Sequence, residues 1–299
     1  MIRASRGQSC PNACAINSSF PNFGGKTTQD RYNRLRNVKE FGYNIEWDDF
    51  RSKTAAIIGV GGLGSVSSEM LTRCGIKKLQ IFDIDVVDEV NLNRMFFRPE
   101  HVGQPKVEVV ARVLREINPD VAIEPHFGDI MDIEFEDQFE ALLRQCDIVL
   151  QGVDNVPARL YLNQKCVKLC RPFIDAGASR SGMGGYVQPI IPYTTACAAC
   201  VGAINLEKKK EYGEPCTASL PTTMTILAGL QVQEVLKYLL HFGKMCGYLM
   251  YDAVTNNITQ YNPQRDPNCT VCSKKTYECP EETSTEDLED QIKKLKENM

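Results

Sequence analysis

The segment Gly59-Val60-Gly61-Gly62-Leu63-Gly64 constrains the fold of this chain more than any other feature. It fits the pattern G-x-G-x-x-G, with the short apolar run Ala55-Ala56-Ile57-Ile58 before it and a helical pattern over about 64–74 after it. Such a turn lets the backbone come close to another group. The helix N-terminus that follows offers free N–H groups and the positive end of a dipole to an anion. Asp83 closes the next apolar run, Leu79-Gln80-Ile81-Phe82-Asp83. It stands about twenty residues on, where an acid recognises a ribose. A glycine turn kept only for close packing is the plainer alternative.

The same alternation of periods continues along the chain. Residues 104–117 predict a helix stopped by Asn118-Pro119, 121–126 a strand, 135–145 a helix and 147–151 a strand. A helix over 157–170 and a strand over 172–176 follow. This βαβα order predicts a doubly wound, mostly parallel α/β sheet, Rossmann-like in type. Residues 185–191 and 248–261 predict strands with turn-like connections, which extend the sheet with antiparallel members. A long helix is expected over 221–241, starting near Pro221, and no internal repeat is found. Residues 1–28 are rich in Ser, Asn, Gly and Pro and are expected to form a disordered tail. Arg3, Arg6 and Lys26 with no acid before Asp30 are weakly like a transit peptide, but no amphipathic helix or signal core accompanies them. A short polar helix is expected over 29–43, ending at Gly42.

Composition narrows the function classes. A net charge of -4 gives no electrostatic case for nucleic acid or an anionic membrane as partner. No apolar run approaches a membrane span. Thirteen cysteines is an odd number. Cys74, Cys146 and Cys166 lie in periodic apolar segments and read as small buried hydrophobes in a reducing, cytoplasmic compartment. Cys197-Ala198-Ala199-Cys200 and Cys269-Thr270-Val271-Cys272 are different. Two distant C-x-x-C pairs, the second in a polar stretch, are the ligand set of a closed structural zinc (Zn2+) site. Cys10 and Cys14 have nothing to complete a site, and Cys279 stays unassigned.

Beyond Asp83 the chain runs Asp88-Glu89-Val90-Asn91-Leu92-Asn93-Arg94. A nicotinamide dehydrogenase has no need of this polar Asn/Arg stretch, whereas a site for ATP must handle three phosphates. Arg94 offers forked contacts to phosphate oxygens and Lys106 a point charge. Asp154 and Asn155 follow the strand 147–151, at a carboxyl end where ligands bind in such sheets. Asp154 is a candidate ligand for magnesium (Mg2+), which prefers carboxylate and phosphate oxygens. Cys216 follows the polar run 207–211 and precedes the long helix. A thiol near a helix N-terminus is a better nucleophile at neutral pH, though an ordinary surface cysteine would look the same. The three histidines, His101, His126 and His241, are distant in sequence, and none is assigned as its base.

These motifs together resemble the ubiquitin-activating superfamily, which shares its adenylation fold with the bacterial sulfur-carrier adenylyltransferases. Within it, the chain is most similar to the enzymes that activate the ubiquitin-fold modifier. The resemblance covers about residues 32–272 and includes Glu69-Met70-Leu71-Thr72-Arg73-Cys74-Gly75-Ile76. The family's cysteine stands in a Cys-small-small-Ser-Leu-Pro-Thr-Thr-Met segment, matched here by Cys216-Thr217-Ala218-Ser219-Leu220-Pro221-Thr222-Thr223-Met224. The resemblance implies ATP contacts at Gly62, Asp83, Lys106 and Asn155; with the glycine motif and the polar stretch, the expected cofactor site is Gly59, Gly61, Gly62, Gly64, Asp83, Asn91, Arg94, Lys106 and Asn155. Arg94 and Asp154 complete the phosphate and metal arrangement, and Cys216 takes the modifier as a thioester. It also implies zinc on Cys197, Cys200, Cys269 and Cys272, and a homodimer.

Two positions depart from the family. Asp129 stands where it has asparagine, and Lys39-Glu40 where it has a Lys-Arg pair whose arginine reaches the partner protomer's ATP. Arg34 and Arg36 are candidate substitutes. A short C-terminal match implies that Leu288, Ile292, Leu295 and Met299 form one stripe of a helix that binds the conjugating enzyme. The expected organisation is a tail over 1–28, an adenylation domain over 29–275, and a linker with an amphipathic helix over 276–299. The rival readings are a sulfur-carrier adenylyltransferase, a non-catalytic scaffold subunit and a dehydrogenase.

Overall fold

The computed structural model describes residues 30–202 and 218–273. Among them, eight strands form one sheet: β1 (Thr54–Ile58), β2 (Lys78–Asp83), β3 (Ala122–Phe127), β4 (Ile148–Gln151), β5 (Phe173–Ala178), β6 (Gly184–Ile190), β7 (Tyr248–Asp252) and β8 (Asn257–Tyr261). The helices are α1 (Asn33–Arg36), α2 (Trp47–Phe50), α3 (Gly64–Cys74), α4 (Lys106–Ile117), α5 (Glu136–Arg144), α6 (Val156–Lys168), α7 (Ala198–Val201) and α8 (Pro221–Leu239). Strand order is β3-β2-β1-β4-β5-β6-β7-β8. The first five strands in that order pair in parallel, and β6, β7 and β8 extend the sheet antiparallel. The doubly wound α/β fold with antiparallel additions is therefore as expected. The Cys216 loop, the expected N-terminal tail and the linker with its C-terminal helix lie outside the described residues.

Both sheet faces are covered, which is why the central strands are apolar at consecutive positions. Side chains alternate between the faces. Ala55 and Ile57 of β1 join Leu79, Ile81, Ile148, Leu150 and Ile174 under α3, α4 and α8. Ala56 and Ile58 point the other way, to Phe82, Val149 and Phe173, under α5 and α6. In α4, Val107, Val110, Ala111 and Leu114 recur at helical spacing and are fully buried. The helix gives way at Asn118, whose Nδ2 donates to Thr72 O and to Tyr32 Oη, both at 2.8 Å. Gly75 ends α3 at φ +79, and a Cβ there would lie 2.3 Å from the Tyr32 ring.

The expected helix over 29–43 is broken into α1 and a 3-10 turn, Asn37–Phe41, closed by Gly42 at φ +85. Leu35 and Val38 are the apolar pair that reaches the core, and a 3-10 turn aligns residues three apart. The run 248–261 divides into β7 and β8. Asp252 makes that turn: Oδ1 accepts from Val254 N at 2.8 Å and Oδ2 from Thr255 Oγ1 at 2.9 Å.

Candidate active site

The order of the sheet reverses between β1 and β4, so the crevice beyond their carboxyl ends is where a ligand binds in such a fold. The glycine turn lies at this point, and its four glycines divide into two pairs. Gly59, at φ +88, donates its N–H to Phe82 O at 2.7 Å, and a Cβ on it would meet Gly152 and Val153 at 2.9 Å. A Cβ on Gly64 would sit 1.8 Å from Gly59 O. Those two serve close packing. Gly61 and Gly62 instead border Arg94: a Cβ would come within 3.0 Å of its Nη1 at Gly61 and 3.3 Å of its Cδ at Gly62. Packing and ligand approach thus share one turn.

Asp83 stands beside the turn. Its Oδ2 accepts from Val60 N at 2.8 Å and its Oδ1 from Asp85 N at 2.9 Å. Burial pushes its carboxyl above the usual range, against the pull of Lys106 and those two N–H groups. Lys106, only 5% exposed at the start of α4, places Nζ 2.6 Å from Asp85 Oδ2. Sequence reading missed Asp85, although Asp83-Ile84-Asp85 at alternate positions was a signal for two acids on one side.

Arg94 follows a 3-10 turn, Glu89–Asn93, that the Asn91 side chain closes by accepting from Asp88 N at 3.1 Å. The oxygen of Asn91, a residue expected in the cofactor site, is thus engaged in holding the turn that carries Arg94. Arg94 Nε is buried and has no hydrogen-bond partner among the described residues. A buried guanidinium donor without an acceptor is costly unless something else supplies one. Beyond β4, Asp154 is exposed. Asn155 caps α6, its Oδ1 accepting from Ala158 N at 2.9 Å.

Cys216 lies outside the described residues, but the residues after it converge on this crevice. A Cβ on Gly182, in the β5–β6 turn, would lie 2.8 Å from Ala218 O. Asn93 Nδ2 donates to Ser219 O at 3.1 Å. Met224 also borders Gly62, its Cγ 3.5 Å from where a Cβ would stand. Ser219 Oγ and Thr223 Oγ1 are buried without a hydrogen-bond partner among the described residues.

The two C-x-x-C pairs meet as expected from their spacing. The four sulfurs of Cys197, Cys200, Cys269 and Cys272 lie within 4.8 Å of one another, with separations of 3.7, 3.6 and 3.3 Å along Cys200–Cys197–Cys269 and across Cys200–Cys272. Four thiolates about 2.3 Å from one ion stand at about such separations. Backbone N–H groups of Asp266 and Val271 point to Cys200 and Cys269 sulfurs at 3.4 Å, and Asn163 holds α7 by accepting from Ala198 N at 3.1 Å. Burial pushes the Cys74 thiol up to about 11 and that of Cys146 to about 12, consistent with inert core thiols.

The departures from the resembled pattern have local roles. Asp129 Oδ1 accepts from Met131 N at 2.9 Å, in the turn after β3. Glu40 is exposed on the 3-10 turn. Arg36 is held between Asp30 and Asp48, whereas Arg34 is exposed.

Comparison with known proteins agrees with this geometry. Ubiquitin-like modifier-activating enzyme 5 of Gallus gallus is 41% identical over 256 residues, 81% of this chain and 64% of that protein. Its counterpart in Drosophila pseudoobscura pseudoobscura is 42% identical over 251 residues, 80% and 63% of the two chains, and that in Dictyostelium discoideum 39%, over 80% and 66%. The chain therefore spans just under two thirds of the length of these relatives. Among solved structures, E. coli MccB with ATP superposes with a TM-score of 0.69 at 24% identity, over 83% of this chain and 75% of that one. E. coli MccB with AMPCPP and MccA gives 0.71 at 23%, over the same shares. At that identity the likeness is one of fold. Residues 32–271 match the ThiF family, a span that takes in the sheet, the crevice and three of the four clustered cysteines, and the chain belongs to that family.

Proposed function

We propose that this protein uses ATP to activate the C-terminal carboxylate of a ubiquitin-like protein, the ubiquitin-fold modifier, and then holds it as a thioester on Cys216. Arg94 carries the reading. Its Nε is a buried donor without an acceptor among the described residues, and its side chain borders the glycine turn. The residues fit ATP: Gly61 and Gly62 leave room at the start of α3, Asp83 at the end of β2 is the acid for the ribose, and Arg94 and Lys106 supply cationic donors. The relatives named for modifier activation support the same assignment.

The carboxylate oxygen of the modifier attacks the α-phosphorus, and the bond to the bridging oxygen of pyrophosphate breaks. Arg94 and Lys106 are the cations that would stabilise the charge that develops on the phosphates. Asp154 would hold magnesium, whose chemistry there would be to neutralise phosphate charge. The Cys216 thiolate then attacks the acyl carbon, and AMP leaves with its phosphate oxygen. The four clustered cysteines would hold a structural zinc. A homodimer, a cytoplasmic location and hand-over to a conjugating enzyme through the helix in 276–299 complete the reading.

The test is to incubate the protein with ATP and ubiquitin-like proteins, the ubiquitin-fold modifier among them, and run a non-reducing gel. A thiol-sensitive adduct with that modifier, absent in Cys216→Ala, is expected. Pyrophosphate exchange with no adduct would assign only the adenylation step, as in a sulfur-carrier adenylyltransferase. Absence of both would refute the reading.

A further inference from the structure

Arg159, on α6, lies outside the site described so far, yet it is bonded to the loop that carries Asp154. Its Nε donates to Val153 O at 3.0 Å, its Nη1 to Tyr186 Oη at 2.6 Å and its Nη2 to Ala176 O at 3.4 Å. Three nitrogens of one planar group therefore tie α6, the β4–α6 loop, β5 and β6 together. Gly177 makes room for this, since a Cβ there would stand 2.4 Å from Nη2. Tyr186 Oη in turn donates to Asp175 Oδ2 at 2.9 Å, and its ring stacks on Tyr248 at 5.3 Å and 7°. Asp175 is 3% exposed. Gln151 at the end of β4 closes the set. In the orientation that satisfies both ends of its amide, it donates to Asp175 Oδ1 and shares the single Arg159 Nε–H with Val153 O, each acceptor at 3.0 Å.

This arrangement is more elaborate than joining a helix to a sheet requires. Apolar contacts of Ala158 and Leu162 already dock α6. One of the polar bonds, from Arg159 Nε, instead reaches Val153 O, one residue before Asp154. The loop they fix also begins α6, with Asn155 as its cap. We propose that Arg159 is a positioning residue for the metal side of the site: it sets the backbone of 153–155 so that Asp154 presents its carboxylate beyond β4. A lysine could keep the positive charge but not the planar fork that meets three acceptors at once. This proposal rests on the adenylation reading and on Asp154 as the magnesium ligand.

The experiment uses the full chain with Arg159→Lys, Tyr186→Phe and Asp154→Asn beside wild type. Two quantities are read: the magnesium concentration at half-maximal modifier-dependent ATP–pyrophosphate exchange, and binding of manganese by electron spin resonance in the presence of a non-hydrolysable ATP analogue. Loss of a partner that orients a metal ligand weakens metal affinity by about 10- to 100-fold. Arg159→Lys should raise both half-saturation values by at least about tenfold, in the direction of Asp154→Asn, while saturating metal restores most of the exchange rate. Tyr186→Phe keeps the ring on Tyr248 and should shift them in the same direction by less. A lowered Tm with unchanged metal half-saturation in both variants would make the cluster a structural fastening and overturn the proposal. Wild-type protein that binds manganese and the analogue but catalyses no exchange would refute the adenylation reading; the manganese titrations would still decide the role of Arg159.

Discussion

Arg94 and Cys216 divide the proposed chemistry between them, and single substitutions should separate its halves. Cys216→Ala is expected to abolish the thioester and leave modifier-dependent ATP–pyrophosphate exchange near the wild-type rate, because the nucleotide residues are independent of the thiol. Loss of both activities, measured on the same preparation, would show that the cysteine is not a separate acceptor. Lys106→Ala is expected to lower exchange itself by about 100-fold or more, as removal of a charge-stabilising donor does elsewhere. Exchange at near wild-type rates would mean that Lys106 serves only its bond to Asp85. Glycine spacing, Asp83 and Arg94 were legible as candidate residues because each belongs to a short motif. Asp85, Asn93 and Arg159 were not singled out. Their roles depend on partners 21, 126 and up to 27 positions away in the chain.

Helices α5 and α6 are clamped by a partly buried ion network that sequence patterning did not announce. Glu140 accepts from Lys165 at 2.7 Å and Lys168 at 2.8 Å through Oε1, and from Arg144 at 3.0 Å through Oε2. Burial alone would raise the Glu140 carboxyl, but the bonds to Lys165 and Lys168 outweigh it and bring it down to about 2 from 4.5. A folded-state value below the unfolded one stabilises the fold above the unfolded value and loses that contribution as pH falls through the folded one. Glu140→Gln should therefore lower the Tm at neutral pH, and the gap to wild type should close between pH 4.5 and about 2. Thermal melts followed by circular dichroism across that range would check it. A gap independent of pH would mean that packing, not charge, accounts for the loss.

At the scale of the molecule, the cysteine cluster ties α7 and the end of β6 to the loop after β8, two places 72 positions apart. The purified protein is expected to hold one zinc per chain, with Cys269→Ser or a strong chelator lowering the Tm more than it changes adenylation. A folded, active sample free of zinc by metal analysis would count against the site. Deleting residues 284–299 should leave the Cys216 thioester intact and impair its transfer to a conjugating enzyme. Normal transfer by the truncated protein would make that segment a tail without this role. The sequence by itself determined the alternation of strands and helices, the glycine turn with its acid, and the two cysteine pairs. Each of these is a local pattern, set by side-chain period or by fixed spacing, and so can be read from neighbours along the chain. The break of the first helix, the Gln231 side chain bonded to Gln151 O, Ile174 O and Ser67 Oγ, and the Arg159 cluster were decided only by tertiary structure. Buried polar groups take whichever partners the packed layers bring to them, and no periodicity in the chain encodes those partners.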